Sequence, residues 1–142
     1  MAPELDEEFD LGTLHTLRAK VLFQACRAGL SESRATDVVL VVHELAANAI
    51  RHGAGAGRLR VWKLVREFCC QVDDGDPPPP KDPVWHPVGS ATNAADALSQ
   101  TLASGMPSPP GHGLWLVRQV ADRMSMASGP GGTCVRVAFN LP

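Results

Sequence analysis

The 142-residue chain has no hydrophobic run long enough to cross a membrane. Its longest purely apolar run, Val38 to Val42, falls far short of the roughly 18 residues that indicate a membrane helix. The first residues, MAPELDEEFD, are acidic and lack the basic and then apolar pattern of a secretion signal. We therefore expect a protein that does not enter a membrane and that stays in the cytoplasm.

The sequence also lacks a block of lysine and arginine, and its formal net charge is −2 with a pI near 6.2. Binding to nucleic acid through charge requires such a block, so we expect no direct contact with DNA or RNA. The four cysteines form no CxxC pair, which is the spacing typical of zinc and redox sites. We predict reduced thiols with no metal or disulfide role.

The composition, with 44% hydrophobic and 20% charged residues, is typical of a globular protein and argues against a disordered chain. The length fits one domain over residues 1–142. Residues 1–9 are interpreted as a tail. Apolar residues then recur every three or four positions over residues 11–28, which predicts a helix. Ser31 is the candidate N-cap of a second predicted helix over residues 32–52.

The middle of the chain changes in character. Two strands, over residues 58–65 and 68–73, are predicted to form an antiparallel hairpin. Residues 77–110 hold most of the 12 prolines and few charges, and we interpret this long segment as a mobile lid over a site. A third helix is predicted next, with Val117 and Met124 on one face. A final hairpin with a GPGG turn completes the chain. This series of elements predicts a two-layer α/β sandwich.

Two polar residues interrupt the apolar second helix. Glu44 and Asn48 are four positions apart and therefore share a face. Because their neighbours are mostly apolar, this helix should be largely buried, and a buried amide needs a hydrogen-bond partner. One interpretation is a core amide bonded to a neighbouring helix. The other makes Asn48 an oxygen ligand of Mg²⁺, with Glu44 placed to order a water or accept a hydroxyl proton.

The segment QVDDGDPPPP follows the second predicted strand. A carboxylate at a strand end beside a glycine can accept a hydrogen bond from an exocyclic amine such as that of adenine. Strand alternation places Asp74 on the same side as Val72, and Asp73 is the rival for this role. Since Asp, Gly and Pro are also turn residues, a plain turn is the other interpretation.

The segment Gly111-His112-Gly113-Leu114 stands where a loop is predicted to become a helix. The unpaired N–H groups of a helix N-terminus bind phosphate oxygens, and glycine lets the backbone approach them closely. A simple turn into the helix explains the same pattern. The glycines, the proline-rich segment and the polar residues of the second helix strengthen one another, however, and together favour a nucleotide site.

Four segments, in this order, resemble a bacterial anti-sigma-factor serine kinase of the GHKL (Bergerat-fold) superfamily, a histidine-kinase-like ATPase domain that stands alone. HELAANAIRHG resembles the N box, with Glu44 and Asn48 at the matching positions and His52-Gly53 closing it. QVDDGDPPPP resembles the box of the adenine-binding Asp, GHGLWLVRQVAD the GxGLxLV box and GGTCVRVAF the final strand. A proline replaces the usual second glycine of the adenine box. The resemblance spans nearly the whole chain.

The resemblance implies a mixed, mainly antiparallel sheet with helices on one face and an ATP lid. It implies ATP and Mg²⁺ as cofactors, with Asn48 holding the metal and Glu44 orienting or deprotonating a hydroxyl group. Asp74 would bind adenine, and Thr133 would support Asp74. The other positions that it assigns to ATP binding are His52, Gly75, Gly111, His112, Gly113 and Leu114.

The function implied by the resemblance is an ATP-binding anti-sigma factor with serine/threonine-protein kinase activity. Such a protein holds a sigma factor and phosphorylates a serine of a STAS-type anti-sigma antagonist. One alternative is a nucleotide-gated protein-binding regulator without kinase activity, and another is a pseudo-enzyme that binds no nucleotide. The first helix carries Arg18, Lys20 and Arg27 on its outer side, which favours either a solvated face or a contact with a partner or a second copy in a homodimer.

Overall fold

The computed structural model describes residues 2–53, 55–75, 86–87 and 112–142, with the backbone alone described at 86–87 and 112–114. The elements follow one another as β1 (Leu5–Asp10), α1 (Leu14–Arg27), α2 (Glu32–His52), β2 (Ala56–Lys63), β3 (Glu67–Gly75), β4 (His86–Pro87), α3 (His112–Val120), β5 (Arg123–Gly129) and β6 (Gly132–Asn140).

The strands form one sheet in the order β1-β2-β3-β6-β5-β4, and every pairing between the described strands is antiparallel. Successive residues of a strand face opposite sides, so each strand gives one side to the helices. Phe68, Val137 and Phe139 on that side form a continuous buried cluster with Val38 and Val42 of α2. The predicted two-layer α/β sandwich with a mainly antiparallel sheet is confirmed.

The two long helices lie close to their predicted positions. Ser31 caps α2 as expected, because its Oγ accepts the N–H of Arg34 at 3.1 Å. The start of α1 was predicted three residues too early. Asp10 and Thr13 close a turn there, in which Thr13 N–H donates to Asp10 Oδ1 at 3.0 Å and Asp10 N–H donates to Thr13 Oγ1 at 2.9 Å. These side-chain bonds compete with helical hydrogen bonds and delay the helix to Leu14.

The prediction of a tail over residues 1–9 is wrong, because β1 begins at Leu5 and pairs with β2 along its whole length. Its residues alternate, and Phe9 on the core side is only 3% exposed. On the outer side, Asp6 accepts two hydrogen bonds from Arg58, at 2.6 and 2.7 Å. Asp6, Glu8 and Asp10 therefore form the outer side of an edge strand, whereas Glu7 lies on the side of α1 and accepts hydrogen bonds from Lys20.

The remaining elements differ from their predictions mainly at their ends. The hairpin of β2 and β3 is confirmed, with the N–H of Leu64 donating to the carbonyl of Glu67 at 2.8 Å across its turn. The third helix ends at Val120, so the prediction that Met124 continues its apolar face is wrong: Met124 lies in β5 and pairs with Val137.

The predicted lid over residues 77–110 lies outside the described residues except for β4, which pairs with β5. Within the described parts of the chain, no helix is both long and apolar enough to pass through a membrane.

Candidate functional site

A pocket of about 200 Å³ opens between α2, β3 and the hairpin of β5 and β6. Ligand pockets for drug-sized molecules usually measure about 300–1,000 Å³, so this one suits a single ring system rather than a whole nucleotide. The described residues that line it are Leu45, Asn48, Ala49, His52, Val72, Asp74, Met126, Thr133 and Val135. Four of the predicted site residues, on three separate elements, therefore meet at one place.

Asp74 is the aspartate that reaches the pocket. It lies opposite Thr133 in the pairing of β3 with β6, on the side of the sheet that faces the helices. Asp73 faces the other side, where its Oδ1 accepts a hydrogen bond from Gln71 Nε2 at 3.1 Å and its Oδ2 pairs with the Arg60 guanidinium. Strand alternation thus gives the two neighbours different surroundings, and only Asp74 faces the pocket.

The end of α2 packs directly against Asp74. A Cβ built on Gly53, the C-cap of α2, would overlap Cγ and both carboxyl oxygens of Asp74. The φ of Gly53 is −105°, which other residues adopt readily, so what requires glycine here is space. His52, the last residue of the helix, lines the same pocket. The His52-Gly53 pair therefore brings the helix end and the carboxylate together.

The strand ends on the other side of the pocket carry a hydroxyl pair. Thr133 Oγ1 lies 3.4 Å from Ser128 Oγ of the neighbouring strand β5.

Gly75 ends β3 with a φ of +71°, and a Cβ on it would overlap the carbonyl oxygen of Gly131. Gly75 is not among the residues that line the pocket. Its position instead allows β3 to end against the turn that precedes Thr133.

Asn48 and Glu44 occupy different surroundings although they share α2. Asn48 is half-buried and lines the pocket. Glu44, one helical turn earlier, is also half-buried but does not line it. A carboxamide oxygen at the pocket wall is a ligand that Mg²⁺ accepts, and this ion is usually held by one or two protein oxygens together with phosphate and water. The donor set at Asn48 thus fits a magnesium ion shared with a bound phosphate chain.

The glycine-rich segment is only partly described. Gly111 lies outside the described residues, whereas His112, Gly113 and Leu114 form the first turn of α3. The sequence therefore predicted correctly that the helix opens at these residues. The first N–H groups of an α-helix have no partner within the helix, and such groups are the kind of donor that binds phosphate oxygens. Val117, further along α3, is fully buried and packs the helix into the core.

The sequence predicted the polar residues of the pocket better than its apolar wall. Leu45, Ala49, Val72, Met126 and Val135 make a largely hydrophobic lining suited to a flat ring. The wall brings α2 and β3 together with the last hairpin, which is distant from them in sequence and in which Met126 pairs with Val135. Met126 is 45% exposed although apolar, and because this exposure is seen only in the folded chain, no local sequence signal identified the residue.

A comparison with curated proteins finds no match. A sequence model of the histidine kinase-like ATPase domain, in contrast, matches residues 8–139. This match includes β2, β3 and every residue that lines the pocket. It supports ATP binding and ATP-dependent phosphotransfer or ATPase activity. On this match, which covers nearly the whole chain, the protein belongs to the family of histidine kinase-like ATPase domains.

Proposed function

We propose that the protein is an ATP-dependent serine/threonine-protein kinase that acts as an anti-sigma factor. It would hold a sigma factor and phosphorylate a STAS-type anti-sigma antagonist. The observation that carries the ATP site is the meeting of Asn48, Asp74 and Thr133 in one base-sized pocket of a chain of this family. The choice of kinase and of partners is supported by the resemblance of the four sequence segments.

The pocket binds adenine in this proposal. The Asp74 carboxylate accepts a hydrogen bond from the exocyclic amine of the base, and Thr133 supports the carboxylate from the paired strand. Val72, Val135 and Met126 cover the faces of the ring, where apolar contact excludes water. A guanine base presents a carbonyl oxygen in place of the amine, and two acceptors would then face each other, so adenine is preferred.

The phosphates and the metal bind outside the base-sized pocket in this proposal, next to Asn48 at its wall. Asn48 would contribute an oxygen to Mg²⁺, and the N–H groups at the start of α3 would bind phosphate oxygens. The bound metal supplies charge neutralisation during phosphoryl transfer, which depends mainly on positioning and electrostatics. Glu44 lies outside the pocket lining, which suits a group that orients or deprotonates the hydroxyl of a second protein rather than one that holds the nucleotide.

Calorimetric titration with ATP, with and without Mg²⁺, tests the site. We expect binding that strengthens with Mg²⁺, and the Asn48→Ala variant should lose this metal dependence while it keeps some affinity for the base. No binding by the unaltered protein at millimolar ATP would overturn the proposed site.

Transfer of labelled γ-phosphate tests the activity. A purified STAS-type antagonist should become labelled on serine, and Glu44→Gln should lower the rate by roughly 10²-fold or more without changing ATP affinity. If ATP binds but only changes the affinity for a sigma factor and no antagonist is labelled, the protein is a nucleotide-gated regulator instead.

A further inference from the structure

Arg34, at the start of α2, joins three elements through its guanidinium group. Nη1 donates to the backbone carbonyl of Val120 at 2.9 Å, and Nη2 donates to Asp122 Oδ2 at 2.8 Å. Nη1 also donates to Asp37 Oδ2 at 3.1 Å. The guanidinium lies over the ring of Phe139, with 5.0 Å between Cζ and the ring centroid. None of these residues lines the pocket.

The contacts of Arg34 hold the C-terminal end of α3. The last carbonyls of a helix lack partners within the helix, and Val120 O is one of them. A cation at this end also interacts favourably with the helix dipole. Asp122, directly beyond the helix, accepts a second hydrogen bond, from the N–H of Asn140 at 2.7 Å. The chain that leaves α3 is thus tied both to α2 and to the last strand.

The opposite end of α3 is the end that faces the phosphates in the proposed site. A helix of nine residues is roughly 13 Å long and behaves as a short rod, so fixing one end restricts the direction of the other. The adenine part of the pocket, in contrast, is built from α2, β3, β5 and β6, without α3. A change in the position of α3 should therefore affect phosphate binding and leave base binding intact.

We propose that Arg34 is a positioning residue for the phosphate end of the ATP site. This inference rests on the proposed function. By holding Val120 O and Asp122, Arg34 fixes the axis of α3 and keeps its first N–H groups in reach of the phosphates. Arg34 itself does not touch the nucleotide. The Arg34 side chain is long enough to reach the C-terminal end of α3, and its planar guanidinium group donates to two acceptors there at once.

The test compares ATP with adenosine on the Arg34→Met variant, by NMR titration, which measures weak dissociation constants as well as tight ones. Methionine keeps an apolar stem against Phe139 and removes the donors. We expect the dissociation constant for Mg·ATP to rise about tenfold, as the loss of charge-assisted hydrogen bonds can cause, while the constant for adenosine stays the same. Amide exchange over His112–Val120 should accelerate, with α1 unchanged.

Arg58→Gln is the matched control. This substitution also removes two hydrogen bonds from an arginine to a carboxylate, here that of Asp6, but at the far edge of the sheet. This control should alter neither dissociation constant. If Arg34→Met does not fold, Arg34→Lys keeps the charge without the fork and should shift ATP affinity in the same direction by a smaller factor.

Three outcomes overturn the inference. ATP and adenosine affinity could fall by the same factor in Arg34→Met, ATP affinity could stay unchanged, or exchange over α3 could stay at the rate of the unaltered protein. Each of these is compatible with a functioning ATP site, provided that the unaltered protein binds ATP. Failure of the unaltered protein to bind Mg·ATP overturns the proposed function and this inference with it, so the two failures are distinguishable.

Discussion

At the scale of single residues, the neighbours Asp73 and Asp74 differ because a strand turns them to opposite sides of the sheet. Asp74→Asn replaces one acceptor oxygen by an amide that donates, and we expect ATP affinity to fall by at least about tenfold with little change in stability. Asp73→Asn is the partner variant. It weakens the pair with Arg60 on the outer face and should lower the free energy of unfolding by about 2 kcal/mol.

Calorimetric titration with ATP measures the affinity of both variants, and urea unfolding measures their stability. If Asp73→Asn abolished binding and Asp74→Asn did not, the assignment of the adenine-binding residue would be reversed.

Gly53 is a second residue whose role depends on its contact with Asp74. In Gly53→Ala the new methyl group needs the space of the Asp74 carboxyl, so we expect that side chain to move and ATP affinity to fall by about tenfold or more. Gly29→Ala is a useful comparison, since no atom lies within 4 Å of its Cβ position and its φ is +103°. This variant should lose about 1 kcal/mol of stability through backbone strain and keep ATP affinity.

Equal binding by Gly53→Ala and the unaltered protein would show that Asp74 has another position available to it.

At the scale of elements, β1 shows how packing can give structure to a segment that the sequence marks as polar. Phe9 is its anchor, with 3% of the residue exposed, and the strand covers one edge of β2. We expect Phe9→Ala to lower the free energy of unfolding by about 3 kcal/mol, because it leaves a cavity under the edge of the sheet. Urea unfolding measures this, with Val65→Ala as control, since Val65 is 96% exposed.

A loss below about 1 kcal/mol in Phe9→Ala would mean that the sheet is complete without its first strand.

The elements that the sequence predicted well are those with strong local signals. The apolar period and the Ser31 cap predicted α2 within its observed bounds. The beginning of α1 and the end of α3 were predicted less accurately, the first because of a local side-chain turn and the second because of strand pairing. The turn of Asp10 and Thr13 delays the start of α1. Met124 pairs with Val137 in β5 and therefore cannot continue α3.

At the scale of the whole molecule, burial controls the chemistry of the cysteines. Burial raises the pKa of Cys69 to about 11, and burial together with a hydrogen bond to Asp73 raises the pKa of Cys134 to about 12, from an ordinary value of 9.0. Burial also raises the pKa of Cys70. Cys26 is exposed on α1. The fold therefore holds three thiols in the protonated form, in which they are poor nucleophiles.

This arrangement predicts a loss of stability at alkaline pH. Below pH 9 the thiols are protonated in both states, and their full contribution is present. As the pH rises above 9 the unfolded chain releases these protons first, so stability falls until the folded pKa values of about 11 and 12 are passed. Urea unfolding at pH 8 and pH 10 measures the fall. Cys69→Ala should make it smaller, whereas Cys26→Ser should leave it unchanged.

Thiol labelling gives an independent check at neutral pH. A thiol reagent should modify Cys26 in the folded protein, and the other three cysteines should react only when denaturant is added. Rapid labelling of Cys70, which is completely buried in the core, would contradict the packing of β3 against the helices.

The sequence by itself determined the course of α2, the presence of the hairpins, and Asn48 and Thr133 as candidates for one site, and it left the choice between Asp73 and Asp74 open. These depend on local periodicity, capping and motif order, which need no knowledge of distant contacts. Tertiary structure alone decided that residues 5–10 form a strand, that Asp74 rather than Asp73 faces the pocket, and that Met126 completes its wall. Each of these follows from the approach of segments that are distant in the chain: β1 pairs with β2, β3 pairs with β6, and the last hairpin meets α2 and β3 at the pocket. Such contacts decide which face of a strand is buried.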